Sequence, residues 1–337
     1  MPSADVLYVL RYWPTVSETF VAGEIAELQR QGVAVAVLSM GTRADGAYAD
    51  GLPAVPVLHV PRGLALAPAL LRRPALSKHS VRRKWAIREA RALEVRRVHA
   101  HFAGEAAFLA RDVARALDVP FSVTVHAADL FKPRPGLGAL LREAAPCVTV
   151  CDHHRSWIAR HHGADATVVR CGIDPHGRPA ADPTIEPARV VCVARDVPKK
   201  GLDRLRRAVP PVRLDLVGAG APVPPSRIPA RLAAAQLFAL PAQVATDGDR
   251  DGIPVAMMEA MAAGLPVVTR PVSGIPELVD ETVGWIDVDF ERVLREALNN
   301  PGERARRGSA GRERVRAAWT LRDSVRGLRA AWDRLRP

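Results

Sequence analysis

Apolar and polar positions along the chain switch between short continuous runs and helical stripes. Val6–Leu10 is an apolar run that reads as a strand. Beyond a loop from Arg11 to Ser17 the period changes: Val21, Ile25 and Leu28 form a stripe that predicts a helix from about Glu18 to Gln31, stopped by Gly32. Thr15-Val-Ser-Glu18 has capping-box spacing at its entrance. The next strand is Val33–Ser39, and further strands are expected at Val98–Phe102, Phe121–His126, Cys147–Cys151 and Ala166–Arg170, with helices between them. From Cys171 to Ala188 the chain is rich in Pro, Ala and Asp and reads as a linker. A fresh pattern starts at Val190–Val193 and continues through Leu214–Val217, Gln236–Leu240 and Pro266–Thr269. Strands alternating with helices imply parallel sheets covered on both faces. The fold class is therefore α/β, as two doubly wound, Rossmann-like domains facing across a cleft, over residues 1–168 and 169–318, with a last helix in 319–337. Ligands of such sheets sit at the carboxyl ends of the strands.

One segment carries most of the chemistry. Asp251-Gly-Ile-Pro-Val-Ala-Met-Met-Glu259 continues through a helical stretch to Gly264 and then into Leu265–Thr269, a β-type run. Pro254 suits a first helical turn, where its missing N–H costs nothing, and Gly264 reads as the left-handed stop. Ser273-Gly-Ile-Pro-Glu277-Leu-Val repeats the Gly-Ile-Pro entry. Each entry predicts free backbone N–H groups at a helix N-terminus, around Gly252, Ile253 and Pro254 and again around Gly274, where an anion can sit. The carboxylates of Asp251 and Glu259 are placed to address two parts of one ligand.

Composition narrows the classes. A length of 337 residues with 48% apolar content supports two ordinary cores. No apolar run approaches the roughly 20 residues of a spanning helix, and the short run from Val6 ends at Arg11, so neither a membrane span nor a signal peptide is expected. Four cysteines do not suggest a disulfide framework; Cys147 and Cys151 on one strand stand about 13 Å apart at ~3.3 Å per residue, too far to bridge. A cytoplasmic protein with reduced thiols is the expectation. The net charge is +12, with ten Arg or Lys between Arg72 and Arg97 against two Glu. That run is either a solvated helix face or a contact for anionic lipid at the inner membrane face. Nucleic acid is disfavoured, since the run holds one aromatic, Trp85, and no binding motif. The opening βα turn lacks G-x-G-x-x-G, so no dinucleotide cofactor is expected.

Several segments, in order, resemble the retaining glycosyltransferases of family 4, which have the GT-B fold. Asp251-x7-Glu259 resembles that family's E-x7-E motif; Arg195-Asp-Val-Pro-Lys-Lys200-Gly resembles its donor-phosphate segment; Leu216-Val-Gly-Ala-Gly220 and Gly274-Ile-Pro-Glu277-Leu-Val resemble two further motifs. Ser17-Glu-Thr-Phe-Val, His99-Ala-His-Phe and His126-Ala-Ala-Asp129 are similar to the family's exopolysaccharide branch. The resemblance implies transfer of a sugar from a nucleotide-diphosphate sugar to an acceptor hydroxyl on a glycan, a lipid-linked saccharide or a small molecule, without cofactor or metal. It implies a donor site of Arg195, Lys200, Asp251, Gly252, Ile253, Pro254, Glu259 and Gly274, with Arg195 and Lys200 on the diphosphate and Glu259 on the ribose hydroxyls. It further implies catalytic roles for His126, Asp251, Arg195 and Lys200, acceptor-side candidates Ser17, Glu18 and Asp129, and a last helix that crosses back to the first domain. A sugar-nucleotide epimerase of the same fold and a catalytically degenerate binding relative are the alternatives.

The chain departs from the family in three places. Asp251 stands where Glu is usual and is one methylene shorter. The segment Ala221–Ala239 is abbreviated, in a region whose backbone helps to read the base. Pro241-Ala242 replaces Pro-Ser. Other charged clusters carry weaker readings. Asp247, Asp249, Asp251 and Gly252 match part of a calcium loop, but Met258 stands where its last acid belongs. Asp287-Val-Asp289 reads as an exposed turn. Lys199 is expected to face solvent. The pairs His153–His154 and His161–His162 are expected on a helix surface, without a third ligand for zinc.

Overall fold

The computed structural model describes residues 3–15, 18–41, 52–61, 77–132 and 134–334. In chain order, the first half contains β1 (Val6–Leu10), α1 (Thr19–Arg30), β2 (Val35–Ser39), β3 (Val57–His59), α2 (Lys78–Ala92), β4 (Val98–His101) and α3 (Glu105–Leu117). It continues with β5 (Phe121–Val125), α4 (Ala127–Leu130), α5 (Leu137–Glu143), β6 (Cys147–Thr149), α6 (Asp152–His162) and β7 (Thr167–Val168). The second half contains β8 (Val190–Val193), α7 (Leu202–Ala208), β9 (Leu214–Val217), α8 (Ile228–Ala233), β10 (Leu237–Leu240) and α9 (Val255–Ala262). It ends with β11 (Val267–Thr269), β12 (Gly284–Ile286), α10 (Phe290–Leu298), α11 (Pro301–Ala318) and α12 (Leu321–Asp333).

Two parallel sheets result, in the orders β3-β2-β1-β4-β5-β6-β7 and β12-β11-β10-β8-β9. Every position of β1 and β2 is buried, which explains why these strands read as near-continuous apolar runs; β5 is buried throughout as well, and its polar Ser122 and Thr124 are paired with His99. The strand order reverses between β1 and β4 in one sheet and between β8 and β10 in the other. Those switch points open crevices at the carboxyl ends, and the two crevices face each other.

The last helix does not belong to the sheet that precedes it. Val325, Leu328, Ala331 and Trp332 of α12 pack with Tyr8, Ile25 and Leu28 in a core of the first half. Trp332 donates from Nε1 to Ser122 Oγ at 3.1 Å, and the Arg97 guanidinium lies 5.3 Å from its ring centroid. The chain returns there through an isolated parallel bridge between Ile173 and Thr320.

Local expectations fail in three places. Thr15–Glu18 does not form a capping box: α1 starts at Thr19 with Glu18 as an N-cap that makes no side-chain cap bond, and the Thr15 hydroxyl faces the Tyr12 carbonyl. Pro254 is the N-cap of α9 rather than its first residue, because its ψ of 125° is still extended. The second Gly-Ile-Pro entry makes only a single 3-10 turn, Ile275–Glu277, not a helix. Gly264 ends α9 in the left-handed region at φ 88°. All four cysteines are free, and burial pushes the thiol of each up to about 12.

Trp332→Ala removes the anchor that joins the last helix to the first sheet. It is expected to lower the unfolding free energy by roughly 3–5 kcal/mol, the usual cost of truncating a buried aromatic, measured by urea denaturation against the parent chain.

Candidate active site

A cavity of about 610 Å³ occupies the space between the two crevices. From the first half it is lined by Thr19, Phe20, Phe102, His126 and His154; from the second, by Arg195, Lys199, Lys200, the turn 218–223, residues 251–256 and Glu259. His126, Arg195, Lys200, Asp251, Gly252, Ile253, Pro254 and Glu259, which are scattered along the sequence, thus share one cavity.

Four other sequence candidates are placed differently. Gly274 lies away from the cavity, packed so that a Cβ there would stand 2.8 Å from Cys151 Sγ and 3.0 Å from Ile253. Asp129 is buried behind the wall, where its carboxylate accepts the backbone N–H of His126 at 3.0 Å and lies 3.7 Å from Arg134. Burial pushes its carboxyl up to about 6 against those contacts. Glu18 is half-buried just before the lining residues Thr19 and Phe20. Ser17 lies outside the described residues.

The electrostatics centre on a chain of alternating charges. Lys132 of the first half meets Asp247 at 2.8 Å and Asp249 at 3.9 Å. Lys199 meets Asp249 at 3.2 Å and Asp251 at 3.5 Å, and Lys200 donates to Asp251 at 2.7 Å. Lys199 is therefore a cleft residue and not the solvent-facing neighbour expected, because both lysines of the 3-10 turn Pro198–Lys200 pair with the acidic loop. Burial alone would raise the Asp251 carboxyl, but the charges of Lys200 and Lys199 outweigh it and hold the group below the ordinary carboxylate range. Asp247, Asp249 and Asp251 thus take lysine partners, and Asp287-Val-Asp289 is an exposed turn in which Asp289 caps α10 through the Arg292 N–H at 3.1 Å. Arg195 is exposed and takes no carboxylate partner among the described residues.

Glu259 sits in the opposite regime. Its side chain projects from α9 between Met258 and Ala260, both fully buried, and its nearest cation, Arg178, stands 3.6 Å away. Burial raises its carboxyl above the ordinary value, and Arg178 only partly offsets this.

His126 closes β5 with its ring between Phe20 and Phe102, at centroid distances of 5.0 and 4.4 Å. Phe102 holds φ at 66°, a conformation that costs a bulky residue roughly 1–3 kcal/mol and that turns its ring into the cavity. Across the cleft, the Glu277 carboxylate accepts the backbone N–H groups of Asp152 and His153, both at 3.1 Å, and meets Arg170 at 2.9 Å. The anion at a helix N-terminus is therefore supplied by the protein at α6, while the second Gly-Ile-Pro entry holds the carboxylate that supplies it.

His154 does not lie on the helix surface where the sequence placed it. It is fully buried and lines the cavity, with its ring against Gly252, where a Cβ would stand 2.7 Å from Cε1. Only glycine fits there. Burial lowers the His154 pKa to about 4. Its spacing from Ile158, one turn on along the inward face of α6, is the signal that marks it as buried.

Two family profiles match the chain: Glycosyltransferase Family 4 over residues 17–176, and Glycosyl transferases group 1 over residues 217–314. The amylovoran biosynthesis glycosyltransferase AmsK of Erwinia amylovora is 36% identical over 154 residues, covering 35% of this chain and 37% of the relative. A GDP-mannose-dependent monoacylated alpha-(1-6)-phosphatidylinositol monomannoside mannosyltransferase of Corynebacterium glutamicum is 34% identical over 164 residues, covering 39% and 43%. The match thus spans less than half the length of these curated relatives. Among solved structures, Anabaena HepE in complex with UDP and glucose superposes with a TM-score of 0.74 at 14% identity over 98% of this chain and 100% of the other. WaaG, a lipopolysaccharide-biosynthesis glycosyltransferase, superposes at 0.61 and 16% identity over 97% and 98%. At those identities the likeness shows the fold.

A carboxyl whose folded pKa is depressed contributes stability above its unfolded pKa and loses it as the pH falls through the folded value. Asp251→Asn is therefore expected to destabilise the chain at pH 7 by roughly 1.5–3 kcal/mol, the worth of a hydrogen bond to a charged group. The gap to the parent should narrow below about pH 4, near the unfolded value. Urea titrations of both chains at pH 7 and at pH 3 measure it.

Proposed function

The chain belongs to the group 1, family 4 glycosyltransferases of GT-B fold, and from that premise we propose that it is a retaining, metal-independent glycosyltransferase moving a hexose-type sugar from a nucleotide-diphosphate sugar to an acceptor hydroxyl. The observation that carries this reading is the single cavity in which Arg195, Lys199 and Lys200 face Asp251 and Glu259.

Each group has work suited to its surroundings. The cations of Arg195, Lys199 and Lys200 offset the charge that develops on a departing diphosphate, the kind of preorganised electrostatic stabilisation that lowers a barrier most. A phosphate oxygen meeting Lys200 takes the place that Asp251 now holds, which turns the Asp251 carboxylate to the donor sugar. Glu259, one turn inside α9, accepts two ribose hydroxyls, an arrangement that suits a carboxylate poorly neutralised by its own protein. Attack from the front face, with the leaving phosphate taking the acceptor's proton, needs no protein nucleophile. The short turn 218–223 and Ile228 form the floor where the base lies, and they stand where the family's longer segment is abbreviated.

The acceptor side favours a lipid-linked glycan. The α2 helix buries only Val81, Ala86 and Ala90 and turns Arg82, Arg83, Lys84, Arg88 and Arg91 outward or to its edges. Arg97 is no part of that surface, because it is buried against Trp332, and Arg72 and Arg73 lie outside the described residues. Among the described residues no helix is long and apolar enough to cross a membrane, so contact with anionic lipid would be peripheral.

Two measurements test these readings. A nucleoside diphosphate at 100 times its Kd is expected to add about 2.7 kcal/mol to the parent's stability and nothing to Glu259→Ala; equal turnover of sugar nucleotide by the two chains would overturn the site, and epimerised sugar nucleotide would overturn the reaction. Co-sedimentation with vesicles is expected to rise with anionic lipid and to fall when Arg82, Arg83 and Lys84 are all replaced by Ser; indifference to lipid charge removes the membrane contact.

A further inference from the structure

The cation nearest Glu259 comes from outside the cavity. A guanidinium nitrogen of Arg178 stands 3.6 Å from Glu259 Oε1, and the two side chains are only 17% and 18% exposed. Glu259 lines the cavity and Arg178 does not. Arg178 lies in the connection between the halves, in a turn closed on itself. Its Nε donates to the Asp174 carbonyl at 2.8 Å, the Asp174 carboxylate accepts the His176 backbone N–H at 3.0 Å, and Gly177 reverses the chain at φ 66°. Ile173, just before this turn, is bridged to Thr320. The guanidinium is thus held by its own segment where it meets the carboxylate.

The separation matters as much as the charge. At 3.6 Å the contact is longer than a hydrogen bond, unlike the 2.7 Å bond between Lys200 and Asp251. Arg178 therefore supplies positive charge without occupying the carboxylate's lone pairs. A carboxyl buried without a cation takes up a proton rather than staying charged, and then loses acceptor capacity. Arginine has no proton to yield at ordinary pH, so this pair stays ionic. The other charges near Glu259 are spent elsewhere. Across the cavity, Lys199 and Lys200 pair with Asp251, and burial keeps His126 and His154 neutral. Behind α9, helix α11 pairs Arg304, Arg307 and Arg314 with Glu186, Glu303 and Asp280. Neither Arg195 nor Arg312 bears on Glu259; the charge that counters its burial is that of Arg178.

We propose that Arg178 is a positioning residue that keeps Glu259 a carboxylate with its lone pairs open to hydroxyl donors of the ligand. The ligand rests on the glycosyl-transfer reading, while the charge state of Glu259 follows from the fold. The sign is fixed by the two opposing causes. Burial already holds the Glu259 carboxyl above its ordinary value against Arg178. Without Arg178 only burial acts, so the acceptor form is lost at a higher pH on acidification and regained on raising the pH.

Arg178→Met keeps an unbranched apolar stem and removes the charge. In protein labelled with 13C-glutamate, the Glu259 carboxyl carbon is assigned by its absence in Glu259→Gln. It is expected to report an ion at pH 7 in the parent and to titrate about 1–3 pH units higher in Arg178→Met, the usual effect of an opposite charge at this range. Calorimetry with UDP and with GDP is expected to show Arg178→Met about tenfold weaker than the parent near pH 6, and close to it near pH 8.5, as one pH unit of displacement requires. A parental Glu259 protonated at pH 7 overturns the proposal, and that result is readable even if the variant fails to fold. An unmoved Glu259 titration overturns it as well, as does an affinity lowered by the same factor at every pH, which a merely structural role would give. A parent that binds neither UDP nor GDP overturns the glycosyl-transfer reading instead and leaves the Glu259 titration to decide the role of Arg178.

Discussion

The carboxylate of Glu277 fastens one half of this molecule to the other. It comes from a single turn at the edge of the second sheet, and it accepts two backbone N–H groups at the N-terminus of α6, which packs beneath the first sheet. Arg170, in the connection between the halves, meets the same carboxylate. An anion at that position answers the helix dipole and unpaired donors together. Its neighbours then have no freedom. Gly274 packs on Cys151 and Ile253, and Gly252 packs on the ring of His154, each so closely that a Cβ would clash. The mouth and width of the cavity follow from these contacts.

Within the cavity, two carboxylates eight residues apart have opposite electrostatic fates. Asp251 is ringed by Lys199 and Lys200, whose charges overcome its burial. Glu259 is buried almost as deeply but meets one arginine at 3.6 Å, and burial prevails. The same residue class is thus made a well-satisfied ion in one place and an under-satisfied acceptor in the other. On the proposed reading, a diphosphate competes for the lysines of the first and hydroxyl donors satisfy the second. A nucleotide-diphosphate sugar offers both kinds of group.

Much of this was legible beforehand in particular residues. Parallel strands buried on both faces leave apolar runs such as Val6–Leu10, so the strands and the two-sheet architecture could be read directly. The helix α9 and its stop at Gly264 could be read from propensity and from glycine's freedom at positive φ. The cavity residues were reachable through motif context. Buried polar side chains were less so: His154 read as helix surface and Lys199 as the outward half of a pair, because periodicity reports which face turns inward but not which polar group finds a partner there.

By itself, then, the sequence determined the alternation of strands and helices, the two parallel sheets and most of the residues that line the cavity. Those depend on local propensity and on burial patterns spread along each element. Tertiary structure alone decided the pairings. Lys200 meets Asp251 across 51 residues, His101 meets Glu24 across 77, and Asp152 meets Glu277 across 125. The strength and direction of such contacts depend on ångström-scale separation and on exclusion of water, and neither exists until the two sheets have closed on each other.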